Sequence, residues 1–311
     1  MSAFFDALAA EISRVSGAPF VVEHTHAVHG GDISQALTLS DGARQFFVKL
    51  QPAAKSSLFE TEAAGLVELA AADAVRVPQV VCMGETAGQA YLVLEYLSLQ
   101  QHGDAAQLGR QLAQQHRVSA SKFGGPCDNW IGATPQPNGW HDHWVDFWRD
   151  QRLGFQLQLA ARNGHGATLQ QTGDTLLADL DAFFKVYVPR PSLLHGDLWG
   201  GNHGFLADGA YDLSCPSGHR KSGSPCGAPV MFDPAVYYGD RECDLAMSEL
   251  FGGFAPAFHD AYREAWPLDV GYDVRRTLYN LYHVLNHANL FGGSYPAQAA
   301  RMIAQLLSHI R

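Results

Sequence analysis

Apolar residues recur at helical spacing at the start of the chain, where Phe4, Phe5, Leu8, Ile12 and Val15 share one side of residues 2–16 and Gly17 stops the run. β-like runs follow over residues 20–28, 33–39 and 45–50. Gly30-Gly31 joins the first pair and Asp41-Gly42 the second, dipeptides suited to tight hairpins. Residues 56–72 carry Leu58, Phe59, Ala63, Leu66, Val67 and Ala70 as the apolar stripe of a helix. Two more strands are expected, over 79–83 after Pro78 and over 90–96 beyond a glycine-containing turn. The first hundred residues therefore read β-β-β-α-β-β behind an opening helix.

From Asp104 the pattern changes to long helices, over 105–117, 143–163 and 172–187. The second is periodic through Trp144, Phe147, Trp148, Phe155 and Leu159. A loop then carries residues 195–202, a short strand reaches Phe232-Asp233, and 242–311 is helical with Gly and Pro breaks. There is no internal repeat and no low-complexity tract. The expected class is α+β, with a sheet-rich lobe over 1–97 and a helical lobe over 98–311.

The 311 residues, 47% hydrophobic and 17% charged, suffice for a packed core and exclude disordered or fibrous classes. Lys+Arg 21 against Asp+Glu 31 leaves −10, which argues against nucleic acid or an anionic membrane as the main partner. No apolar run approaches the roughly 18 residues of a membrane span, and the first residues lack the basic start and apolar core of a signal peptide. Five cysteines are scattered at 82, 127, 215, 226 and 243, so a reduced, cytoplasmic protein is expected.

The sharpest local signal is His195-x-Asp197-x4-Asn202, on a loop between a helix and a strand. A carboxylate and an amide five residues apart suit a base beside a metal-bound oxygen ligand. Phosphoryl transfer from ATP to a hydroxyl uses such a pair, the Asp taking the proton and the Asn helping to hold Mg²⁺. Asp233, after apolar Val230-Met231-Phe232, suits the second metal carboxylate, and oxygen ligands without a Cys/His cluster suit magnesium. The same scheme needs a strand lysine and a helix glutamate. Phe46-Phe47-Val48-Lys49 supplies the first. Glu62 supplies the second and is preferred to Glu60 because it shares a face with Phe59 and Leu66. Gly30-Gly31 lies where a phosphate loop belongs. Leu92-Val93-Leu94-Glu95-Tyr96-Leu97 ends the sheet where an adenine would meet the inter-lobe backbone, placing Glu95 and Leu97 in the ATP site.

Taken singly, each piece has a plainer reading. HxD is commonly a loop with a capping Asp, a strand-end Lys an edge residue, a helix Glu a solvated one, and Gly-Gly an ordinary turn. Their order along the chain, on the required element types, favours the kinase scheme.

On these residues the chain resembles the fructosamine (ketosamine) kinases, relatives of the aminoglycoside and choline phosphotransferases within the protein-kinase-like bilobal fold. The resemblance rests on Leu194-His195-Gly196-Asp197-Leu198-Trp199-Gly200-Gly201-Asn202 and on residues 232–242, with Asp233-Pro234-Ala235 and Tyr237-Tyr238-Gly239-Asp240-Arg241-Glu242. Asp128-Asn129-Trp130-Ile131-Gly132, Leu94-Glu95-Tyr96-Leu97 and Leu281-Tyr282-His283-Val284-Leu285-Asn286-His287 support it. It implies ATP- and Mg²⁺-dependent phosphorylation of the sugar 3-hydroxyl in Amadori-type adducts, on small amines or glycated proteins, leading to deglycation. By position, Asp197 would be the base, Asn202 and Asp233 the Mg²⁺ ligands, and Lys49 the phosphate lysine paired to Glu62. Trp199 and His287 would meet the acceptor, Trp199 as a flat wall for a sugar or, alternatively, as a buried loop anchor.

There are two departures from the family pattern. The phosphate loop reads Gly30-Gly31-Asp32-Ile33 without the cysteine some members carry, so no thiol switch is expected and Asp32 should point outward. Residues 211–227 form a Ser/Gly/Pro-rich insertion with Cys215, His219 and Cys226, for which an ordinary surface loop outweighs zinc or a disulfide. His24 and His26 alternate with apolar residues as on a solvent-facing strand, and His141 and His143 flank Asp142 at a helix start. Cys82 and Cys243 sit among apolar neighbours as small core residues. The competing functions are a related hydroxyl phosphotransferase, against which Trp199 and Asp240-Arg241-Glu242 argue, and a non-catalytic nucleotide-binding pseudokinase. Joint retention of Lys49, Asp197, Asn202 and Asp233 argues against the pseudokinase.

Overall fold

The elements run α1 (Ala3–Ser16), β1 (His24–Val28), β2 (Gln35–Ser40), β3 (Gln45–Pro52), α2 (Ser56–Ala71), β4 (Val80–Thr86), β5 (Gln89–Glu95), β6 (Leu99–Gln100), α3 (Ala105–Gln115), β7 (Asn129–Ile131) and β8 (Thr134–Gln136). After these come α4 (Trp144–Phe147), α5 (Gly154–Arg162), α6 (Ala167–Ala178), β9 (Ser192–Leu194), β10 (His203–Leu206), β11 (Pro229–Met231), β12 (Tyr237–Gly239), α7 (Glu242–Leu250), α8 (Pro256–Ala265), α9 (Tyr272–Phe291) and α10 (Tyr295–Ile310). The computed structural model describes residues 3–28, 34–207 and 227–310. Gly30, Gly31, Asp32 and the cysteines and histidine of the 211–227 insertion up to Cys226 lie outside them.

The chain divides into two compact units, Met1–Gln111 with Asn202–Pro234, and Leu112–Gly201 with Ala235–Arg311. This differs from a single cut after Leu97, because 202–234 returns to the first unit. The reason is pairing across a long sequence separation: β6 hydrogen-bonds to β10, and β10 to β11. The main sheet of this unit is antiparallel in the order β1-β2-β3-β5-β4, with Lys49 of β3 opposite Ala36 and Leu92. Phe4, Leu8 and Ile12 of α1 pack with Phe20, Leu39, Phe46, Val48 and Val93, and α2 buries Phe59, Ala63, Leu66 and Leu69. All five residues of β1 are exposed, so His24 and His26 do not alternate with buried neighbours.

The second unit is a helical body around Trp144, Phe147, Trp148, Leu157, Tyr279, Leu285 and Ile303. The periodic stretch expected as one helix over 143–163 is α4 and α5 joined by a π-helical turn, Trp148–Leu153. That turn sets Arg152 fully inside, with its guanidinium 4.0 Å from the Tyr237 ring centre and donating to the Pro137 carbonyl (2.6 Å) and Asn138 Oδ1 (2.7 Å). His143 occupies the position before α4 without a side-chain cap bond. The helix expected over 172–187 starts at Ala167 and ends at Ala178, followed by a 3₁₀ turn over Leu180–Phe184. The three-residue strands β7, β8, β9 and β12 are too short to show a period in sequence. Cys82 and Cys243 are buried and burial pushes both thiols up, whereas Cys127 is exposed. Among the described residues no helix is long and apolar enough to cross a membrane, and no group of three or more His, Cys, Asp or Glu is placed to hold a metal.

Candidate active site

In the first unit, β3 presents Lys49 to α2, whose buried stripe turns Glu62 toward the sheet. Lys49 Nζ lies 2.7 Å from Glu62 Oε1 and 2.5 Å from Oδ1 of Asp233, 184 residues further along the chain. Burial works against the lysine charge, but the two carboxylates outweigh it and hold its pKa above the ordinary value. Burial also lifts the Glu62 carboxyl; Lys49 pulls it down, Asp233 adds like charge, and the net direction is upward. Asp233 has φ +56°, a left-handed backbone that Asp tolerates better than most residues. The adjoining ladder fixes it, with Phe232 N–H donating to the Asn202 carbonyl (3.0 Å) and buried Asn202 donating through Nδ2 to the Asp233 carbonyl (3.4 Å). The Asp233 side chain remains 44% exposed. The Asn202 amide thus borders the Asp233 backbone, and the oxygens of the two side chains are hard donors of the kind that takes Mg²⁺ together with phosphate oxygens.

In the second unit, the pairing of β9 with β12 launches the loop that carries His195 and Asp197. Gly196 has φ +82°, and a Cβ there would collide with the Ala235 carbonyl, so the turn admits only glycine. The loop is pinned from below by Asp244 of α7. This fully buried carboxylate accepts the His195 N–H at 2.7 Å on one oxygen and the Gly196 N–H at 2.8 Å on the other. His116 Nε2, 3.1 Å away, contacts the same group, and His116 Nδ1 meets the Tyr262 hydroxyl (2.8 Å), which also accepts from Arg241 (3.2 Å). Burial alone would raise the Asp244 carboxyl, but His116, His195 and the Gly196 N–H hold it below the ordinary carboxylate range. Asp197 N–H donates to His195 Nδ1 (3.3 Å), and Trp199 N–H to the Asp197 carbonyl (3.1 Å). The Trp199 ring lies over Gly201 yet is 41% exposed, which combines a loop contact with an open face.

The other expected residues are placed differently. The Glu95 side chain is buried in an ion pair with Arg76 and also accepts the Gln79 N–H (3.2 Å), while its own N–H donates to the Gln79 carbonyl (2.8 Å). Leu97 packs beside Leu206, Ala228 and Val230. His287 stands half-buried on α9. Asp240 and Glu242 are fully buried, Asp240 under the hydroxyls of Tyr187 (2.8 Å) and Tyr279 (2.5 Å), Glu242 in a bidentate pair with Arg275 (2.8 and 3.0 Å). Burial and the Asp240 charge push Glu242 up to about 7. These acids frame the second unit and do not present a surface to an acceptor. Asp244 is the residue that sequence reasoning missed; its signal is an acid amid Cys243, Leu245, Ala246 and Met247, a buried helix face on which a carboxylate needs partners.

Residues 4–309 match the family model described as fructosamine kinase. The chain is 43% identical over 307 residues, 96% of either chain, to a Synechocystis protein named "Probable ketoamine kinase". A crystal structure from Haemophilus somnus, designated a candidate fructosamine-3-kinase, superposes with TM-score 0.82 at 28% identity over 96% of both chains. A thermostable mutant of an aminoglycoside phosphotransferase, 15% identical over 97% of this chain and 98% of its own, has a TM-score of 0.56 and shows the shared protein-kinase-like fold. With matches of this extent on a fold of phosphotransferases, the chain is a kinase and belongs to the fructosamine kinase family.

Proposed function

We propose that this enzyme transfers the γ-phosphoryl group of ATP to the 3-hydroxyl of the sugar in ketosamine adducts. The observation that carries it is Lys49 held between Glu62 and Asp233, three residues from distant segments in the arrangement that kinase phosphate binding requires. Lys49 then engages the phosphates, with Glu62 keeping its ammonium in place. Asp197 accepts the proton of the attacking hydroxyl as that oxygen bonds to the γ-phosphorus and the bond to the ADP oxygen breaks. Asn202 and Asp233 would hold Mg²⁺, which supplies charge neutralisation on the β- and γ-oxygens. Gly30 and Gly31 serve the phosphates, the backbone around Glu95 and Leu97 the adenine, and Trp199 and His287 the acceptor. The 3-phosphate makes the adduct unstable, so on small ketosamines or glycated proteins in the cytoplasm the outcome is deglycation.

The test is a panel of lysine adducts of ribulose, erythrulose and fructose with ATP and Mg²⁺, run beside kanamycin and choline. Phosphate found on the sugar 3-oxygen of at least one adduct is the expected result. Transfer to kanamycin or choline alone would overturn the proposal.

A further inference from the structure

An aromatic group outside the assigned machinery surrounds His287. Its ring centre lies 4.9 Å from that of Phe251, 5.1 Å from Tyr295 and 5.5 Å from Phe291. Phe251 is 41% exposed and Phe291 58%, so these rings are not simply core filling. The group adjoins the catalytic loop. Phe251 directly precedes Gly252-Gly253, whose backbone meets Gly200 so closely that a Cβ there would lie 2.7 Å from the Gly252 carbonyl oxygen. His287 Nδ1 is 2.8 Å from the His283 carbonyl, which can only accept, so the proton sits on Nδ1 and Nε2 of the neutral ring is an acceptor.

We propose that Phe251, Phe291 and Tyr295, with His287, seat the amine end of the acceptor: the protonated secondary amine on C1 of the sugar and the first methylenes of its carrier. The inference rests on the ketosamine reading above. A ketosamine differs from a free sugar by one cation and an alkyl chain. Aromatic faces attract a cation and cover methylenes at once, and the imidazole Nε2 can accept an ammonium N–H. The face then distinguishes amine-linked from neutral acceptors, while the sugar is read at Trp199.

The test compares two acceptors that differ only in the group on C1, the cationic N–H-bearing amine of 1-deoxy-1-(hexylamino)fructose and the neutral ether oxygen of 1-O-hexylfructose, with wild type, a Phe251→Leu/Phe291→Leu variant that keeps apolar cover without π faces, and Phe251→Tyr/Phe291→Tyr, which restores them. In wild type KM should favour the amine by about tenfold. The leucine variant should narrow that ratio to about threefold or less, with the ether KM moving far less than the amine KM, and the tyrosine variant should recover it. An unchanged ratio in the leucine variant, or equal weakening of both acceptors, overturns the inference and leaves the ketosamine reading intact. Wild type inactive on every ketosamine overturns both.

Discussion

Replacing Lys49 by Met keeps most of the apolar stem and removes the ammonium from between Glu62 and Asp233. The Glu62 side chain is only 14% exposed, so its orphaned carboxylate cannot hydrate and escapes by taking a proton. From an ordinary glutamate value near 4.3, protonation at pH 7 costs at most about 3.7 kcal/mol, which caps the loss from this group. Asp233, 44% exposed, relaxes into water and adds little. A loss of about 2–3 kcal/mol at pH 7 is therefore expected, near the low end for breaking a buried pair. The sign with pH follows from Glu62. Lys49 lowers its pKa, so removing Lys49 raises an already raised folded value further. A carboxyl with a raised folded pKa keeps its full stability below the unfolded value and loses it as pH climbs through the folded one. At pH 5 the same cap is about 1 kcal/mol. Urea unfolding of wild type, Lys49→Met and Lys49→Met/Glu62→Gln at pH 5 and pH 7 measures this. The single variant's deficit should shrink by at least half at pH 5, and the double variant should recover most of it at pH 7. A deficit equal at both pH values, or no recovery with Gln, would refute the reasoning.

Asp197→Asn should lower kcat on a ketosamine by about 10²–10⁴-fold with ATP affinity nearly unchanged, since the amide keeps the size but cannot take the proton; kinetics and nucleotide titration read both quantities. Asp244→Asn places an NH₂ group against the His195 or Gly196 N–H and should cost about 2–4 kcal/mol in thermal or urea unfolding, with kcat falling more than KM changes. Trp199→Ala should raise the ketosamine KM about tenfold while slow acceptor-free ATP hydrolysis persists. Parallel loss of both activities would instead make the contact with Gly201 the main role of that ring.

How much of this was legible in the sequence depends on the range of the interaction. Asp41-Gly42 between β2 and β3 and the Phe59, Ala63 and Leu66 part of the α2 stripe are set by neighbours within a few residues and stand where the periodicity places them, whereas Val67 of that stripe is exposed and the HxDx4N loop follows strand β9 rather than a helix. Glu62 was separable from Glu60 because a helix period puts it on the face of Phe59 and Leu66, and it meets Lys49. What local pattern could not decide was pairing across long separations. Nothing near β6 announces that it hydrogen-bonds to β10, more than a hundred residues later, which returns 202–234 to the sheet-bearing unit. By position Glu95 marks the segment whose backbone is expected to meet an adenine, and only tertiary packing decided that its side chain forms an internal ion pair with Arg76. Asp244 reads in sequence as one more acid at the start of a helix. Its role as the acceptor of two loop N–H groups exists only once α7 is packed beneath the His195-Gly196 turn, because a buried carboxylate takes its meaning from the donors that tertiary folding brings to it.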